Sequence, residues 1–175
     1  MAAQQSICTI VNMKKHAKKL FDALKLVCET ESVFYITTEL CPAHRRVVIE
    51  QVKKRLRDGL PCRVVATQCI EAGVDLDFDS VFRALAPLES IIQAAGRCNR
   101  NGRHPEGGQV LVFLPDEERL YPDTWYEKAA MRGSALHMEK PIDRMKPSDI
   151  QRYYQKLFWK LKGKKELSEA IQMQE

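Results

Sequence analysis

The 175 residues contain no apolar run near the roughly 20 positions that a membrane-spanning helix needs, and the opening MAAQQSICTIVN lacks the basic-then-apolar order of a secretory signal. A soluble, cytoplasmic protein with no membrane contact is expected. The six cysteines (Cys8, Cys28, Cys41, Cys62, Cys69, Cys98) show neither CxxC pairing nor zinc-ligand spacing, so they read as small core hydrophobes in a reducing compartment. His16, His44, His104 and His137 form no HExxH motif or Cys/His cluster, and no metal site built by this chain alone is expected. There is no internal repeat or low-complexity tract. The phosphate loop GxxxxGKS/T is also missing. Val110–Leu114 with Asp116 and Glu117 therefore looks like a Walker B strand without its partner, which argues against a self-sufficient ATPase.

With 45% hydrophobic residues, a chain of this length buries a core of its own, and one compact domain with a short appendage is expected. The net charge of +5 suits a polyanion without selecting one. That charge is segregated. Residues 1–66 carry 12 basic and 6 acidic side chains, residues 67–118 carry 4 and 9, and residues 119–175 carry 12 and 8.

Ser6–Val11 is a short run rich in β-branched residues; Asn12 then reads as the cap of a helix with Met13, Ala17, Leu20, Phe21 and Leu24 at helical spacing. Val33–Ile36 repeats the strand signal, and Pro42 opens a helix whose stripe is Val48, Val52 and Leu56 before Asp58-Gly59 stops it. Arg63–Thr67, Val81–Leu85, a helix from about Ser90 to Arg100, and Gln109–Leu114 follow. Strands that alternate with helices and lack strict polar alternation predict a mostly parallel sheet covered on both faces, an α/β fold in three layers. After Pro115 the texture changes: Pro122, Pro141 and Pro147 interrupt it, and Tyr153, Tyr154, Leu157, Phe158 and Leu161 mark one basic amphipathic helix. The expected division is a domain over residues 1–115 and a linker with a helical tail over residues 116–175.

Ligands of open parallel sheets gather at the carboxyl ends of the strands. Asn12, Thr37, Thr38, Thr67 and Gln68 fall there; their neutral donors suit a phosphate backbone, although strand capping explains any one of them equally well. Gly73 and Asp75 offer close approach and a carboxylate for ribose hydroxyls, in a spacing that is also an ordinary turn. In Gln93-Ala-Ala-Gly-Arg97-Cys-Asn-Arg100, a continuous helix would place Gln93, Arg97 and Arg100 within an arc of about 60°, opposite Ile91, Ile92, Ala95 and Cys98. Neither arginine has an acid three or four positions away, so the pair calls for an external anion, with Gly96 leaving room for it; an ordinary solvated face is the alternative.

Ala66–Asp75 resembles motif V of superfamily 2 helicases, and Gln93–Arg100 matches their motif VI pattern QxxGRxxR. Leu40-Cys-Pro-Ala-His-Arg45, Glu71-Ala-Gly-Val-Asp75 and Arg83-Ala-Leu-Ala-Pro-Leu88 resemble the helicase-nuclease of type I CRISPR interference, strongly from residue 6 to about 115 and more weakly beyond. The resemblance implies the C-terminal RecA-like lobe of an ATP-dependent DNA helicase in antiviral defence. It implies Arg100 as the arginine finger, Arg97 and Gln93 beside it, Gly73, Asp75 and Gly96 on the nucleotide side, and Asn12, Thr37, Thr38, Thr67 and Gln68 on single-stranded DNA. ATP would be shared with a first lobe that also supplies magnesium. Partners would be that lobe, the HD nuclease domain and the CRISPR surveillance complex. The phosphate loop, DExH box and HD residues of this family are absent from the sequence, so the isolated chain is expected to be inactive. A non-enzymatic interaction or regulatory module, and a lobe of another superfamily 2 helicase, are the competing readings.

Overall fold

The computed structural model describes residues 6–71, 73–140 and 146–159. Five strands, β1 (Ser6–Ile10), β2 (Val33–Ile36), β3 (Cys62–Ala66), β4 (Ser80–Ala84) and β5 (Gln109–Phe113), form one sheet in the order β2-β3-β1-β4-β5, with every pair parallel. Five helices accompany them: α1 (Lys14–Val27), α2 (Pro42–Arg57), α3 (Leu88–Ala95), α4 (Thr124–Glu139) and α5 (Pro147–Trp159). The α/β architecture expected from the alternation is therefore the one observed.

Both sheet faces are covered, and neighbouring residues of one strand go to opposite sides. Ile10 and Val64 join Cys8, Ile36 and Val81 under Val52 and Leu56 of α2 and Ala94 of α3. Val11 and Val65 join Ala84 under Ala17 of α1, with Leu20, Phe21 and Leu24 at its margin. This two-sided burial is why the strands lack polar alternation. Cys8 and Cys62 lie inside the core, where burial pushes the Cys62 thiol up to about 12, so both behave as apolar side chains. No helix among the described residues is long and apolar enough to cross a membrane.

Strand order reverses at β1, because β2 and β3 lie to one side of it and β4 and β5 to the other. That makes the carboxyl ends of β1, β3 and β4 a topological switch point, the usual crevice of an open α/β sheet.

Three expectations change. The helix after β1 is capped by Met13, without a side-chain hydrogen bond, and not by Asn12. The helix expected to reach Arg100 stops at Ala95, with Gly96 as its C-cap. Beyond it Cys98 forms a parallel bridge with Phe78, Asn99 takes φ 47°, and the Phe78 amide and carbonyl bond Arg97 and Asn99. The arc of Gln93, Arg97 and Arg100 on one helix does not exist, because a weak helix former at 96 lets the next backbone groups pair with another segment.

Finally, the segment after Pro115 holds two helices in place of one. Asp123 caps α4 by accepting from the Tyr126 amide at 2.8 Å. Gly133 in the middle of α4 faces the Tyr153 ring of α5; a Cβ there would stand 3.4 Å from it. Leu88 of α3, Ala129 and Leu136 of α4, and Tyr153 and Leu157 of α5 make one apolar cluster that fastens both helices to the sheet domain. Leu161 lies outside the described residues.

Tyr153 is fully buried, and its hydroxyl accepts from the Leu88 amide at 3.4 Å. Tyr153→Ala is expected to lower unfolding free energy by about 3–5 kcal/mol, and Tyr153→Phe by about 1 kcal/mol, both read from urea denaturation. Wild-type stability in the alanine variant would show that the helical layer is not docked.

Candidate functional site

The carboxyl edge of the sheet is less open than its residue types suggest. Thr37 is fully buried, and its hydroxyl takes the Glu39 amide at 3.2 Å, closing the turn after β2. Thr67 is buried, with its hydroxyl 3.7 Å from Cys69 Sγ. Asn12 is buried as well. Its amide nitrogen donates to the Leu85 carbonyl at 2.9 Å, and its oxygen accepts from Arg83 Nη1 at 2.7 Å, so both ends of the side chain are used inside the protein. Thr38 is exposed and Gln68 half-buried. These two are the members of the expected set that are not buried.

Behind this edge lies a feature that reading site positions alone had missed. Arg83, in β4, is fully buried. Its Nε stands 2.8 Å from Glu71 Oε1, an ion pair with both side chains out of solvent. Nη1 also donates to the Ala84 carbonyl at 2.9 Å, and Nη2 donates to the Tyr126 hydroxyl of α4 at 2.9 Å. Burial pushes the Glu71 carboxyl above its ordinary range, while the Arg83 guanidinium and the Ser90 hydroxyl pull it the other way. The signal was in the sequence: a charge within the apolar run Val81-Phe-Arg-Ala84 of a two-sided strand demands a buried carboxylate. Its partner could be any of nine acids in the middle segment.

Glu71 also faces the other way, since its carbonyl accepts from Arg97 Nη2 at 3.0 Å. Arg97 is buried, its Nε has no partner, and burial followed by the like charge of Arg100 pulls its pKa down. Arg100 reaches Asp75 with 3.3 Å between Nε and Oδ1, and its amide donates to Asp77 Oδ1 at 2.7 Å. Arg103 pairs with Asp77 at 3.4 Å and His104 with Asp79 at 2.8 Å. The absence of acids within a helical turn predicts that both arginines are unpaired. That inference fails for Arg100, because the loop across from it supplies the carboxylates.

Gly73 is exposed at φ 72°, on the same loop as Asp75. Gln93 and Gly96 are exposed near the end of α3. Among the described residues, no group of three His, Cys, Asp or Glu side chains is placed to hold a metal. What the arrangement offers is guanidinium charge next to a solvent-open loop: Arg97 with an unused donor, and Arg100 in an exposed pair that an anion can exchange.

Residues 3–103 match the family described as CRISPR-associated nuclease/helicase Cas3, C-terminal. The CRISPR-associated nuclease/helicase Cas3 of Haloferax volcanii is 51% identical over 83 residues, which are 44% of this chain and 9% of that protein. The crystal structure of T. fusca Cas3-ATP aligns with a TM-score of 0.67 at 18% identity, over 98% of this chain and 22% of that one. A chain from a CRISPR RNA-guided surveillance complex, pre-nicking, aligns with a TM-score of 0.64 at 21% identity, over 87% of this chain and 21% of its own length. At such identities the structural likeness shows the fold alone, and this chain spans between 9% and 22% of the length of these three proteins.

Breaking the buried pair from one side leaves a lone charge in the core. Arg83→Met and Glu71→Leu are each expected to cost about 3–5 kcal/mol, while the double variant recovers at least about half of the summed loss. Urea denaturation of all three variants measures this, and strict additivity would refute a shared pair.

Proposed function

The chain belongs to the CRISPR-associated Cas3 nuclease/helicase family, whose C-terminal helicase region it matches, and on that premise we propose that it is the second RecA-like lobe of an ATP-dependent single-stranded-DNA translocase. ATP supplies the phosphoanhydride, and a first lobe supplies the phosphate loop and the magnesium ligands that this sequence lacks. The surveillance complex would be met through the whole protein. The observation that carries the proposal is the turn in which Arg97 and Arg100 stand against the Gly73–Asp79 loop while Glu71 ties that turn to the strand edge.

The arginines have separate tasks. Arg100 is 45% exposed and Asp75 80%, and an exposed pair of this kind holds by at most about 1 kcal/mol. Its guanidinium is therefore free to leave Asp75 for the more concentrated charge of a γ-phosphate, and Asp75 is then available to ribose hydroxyls beside Gly73. Arg97 stays where the Glu71 carbonyl holds it, with its Nε buried and without a hydrogen-bond partner. Exposed Gln93 and Gly96 border the same surface. On the strand edge, exposed Thr38 donates to the sugar-phosphate backbone without reading bases, while Gln68, whose amide N–H groups are turned to Asn12 and Tyr126, presents its carboxamide oxygen to the strand. Thr37, Thr67 and Asn12 shape that edge from beneath, a supporting role in place of the direct contact expected of them.

Hydrolysis requires both lobes. An isolated first lobe should show little DNA-stimulated ATP hydrolysis, and adding this chain should raise it. Arg100→Ala should cut the restored rate by roughly 10³-fold or more. No restoration, or equal restoration by Arg100→Ala, would overturn the proposal in favour of a non-enzymatic interaction module.

Binding of oligo-dT to this chain should also weaken steeply between low and physiological salt, in fluorescence anisotropy, as phosphate contacts require. Salt-independent binding would indicate contacts of another kind.

A further inference from the structure

Tyr126 lies on α4, beyond the residues 3–103 that match the family, yet its hydroxyl enters the interior of the sheet domain. It accepts from Arg83 Nη2 at 2.9 Å, donates to Asn12 Oδ1 at 3.3 Å, and accepts from Gln68 Nε2 at 3.5 Å. The Gln68 amide also donates to the Asn12 carbonyl, at 3.4 Å. Gln68 is thus held by two long bonds to groups that Arg83 and Tyr126 themselves fix in place. The ring end of Tyr126 packs on Tyr121, with centroids 6.2 Å apart.

We propose that Tyr126 is a positioning residue: its hydroxyl, anchored on buried Arg83, sets the Gln68 carboxamide at the strand-binding edge and makes that edge responsive to the docking of α4. The proposal rests on the DNA-binding role given to Gln68 above. The geometry requires Gln68 to be the point of action. Thr38 has no hydrogen bond to this network among the described contacts, and Arg83 keeps Glu71, Asn12 and the Ala84 carbonyl when the hydroxyl is lost. A shift of α4 would lengthen bonds already near the hydrogen-bond limit and release the amide, while the charge at the edge stays unchanged.

Tyr126→Phe retains the ring against Tyr121 and removes only the hydroxyl, so the chain is expected to fold, which a thermal melt followed by circular dichroism checks. Affinity for oligo-dT, measured by anisotropy, should fall roughly three- to tenfold. The dependence of log affinity on log salt should keep its slope, because no charged contact is lost. Gln68→Ala should give a fall of similar size, and the double variant should be no weaker than Gln68→Ala alone. A purely structural effect of Tyr126 would instead add to that of Gln68→Ala, and additivity overturns the proposal. Wild-type affinity in Tyr126→Phe overturns it too. If the wild-type chain does not bind oligo-dT, the DNA-binding reading itself fails, which is a distinguishable result.

Discussion

A guanidinium without solvent, one residue from the end of β4, is the constraint around which this molecule is organised. A buried charge is tolerated when it is paired with an opposite charge and given hydrogen-bond partners. Arg83 meets that demand by drawing Glu71 from the turn after β3, Asn12 from the end of β1 and Tyr126 from α4 to one point. Four segments distant in sequence are thereby fixed at the switch point of the sheet. Such a pair adds little to stability compared with apolar packing. Its consequence is geometrical, since it sets where the carboxyl edge and the arginine turn stand relative to each other.

Glu71 is the hinge of that relation. Its carboxylate serves Arg83 and its carbonyl serves Arg97, so the strand edge and the arginine turn share one residue. In the function proposed above, a connection of this kind would pass a displacement at one surface to the other through contacts already formed. The acidic middle segment acquires a similar meaning. Asp75, Asp77 and Asp79 face Arg100, Arg103 and His104, and Asp77 also takes the amides of Arg100 and Asn101. The acids hold that turn in shape and leave the outermost pair, Arg100 with Asp75, weak enough to exchange.

The periodic elements were legible because each is set by local physics. The β-branched runs gave the five strands, Pro42 began α2, and Gly59, at φ 65°, lies just past the end of that helix. Failures occurred where a remote partner overruled a local preference. Asn12 has the chemistry of a helix cap, yet Arg83 and Leu85 take its side chain, so Met13 begins α1. The helix through Arg100 is locally permitted except at Gly96, and its continuation was lost to the bridge between Cys98 and Phe78. α4 was concealed by its own Gly133, a poor helix former that packs against the Tyr153 ring.

The sequence by itself determined the α/β layering, the sheet-covering helices and the motif pattern that identifies a Cas3-type helicase lobe, because hydrophobic periodicity and motif spacing are properties of neighbouring residues. Tertiary structure alone decided which polar groups of the strand edge stay at the surface. Of five edge residues alike in chemistry, Thr38 is exposed and Gln68 half-buried, whereas Asn12, Thr37 and Thr67 are buried. Exposure and ion pairing depend on what lies across space, and Arg83 found its carboxylate twelve positions back along the chain, on a different turn of the fold.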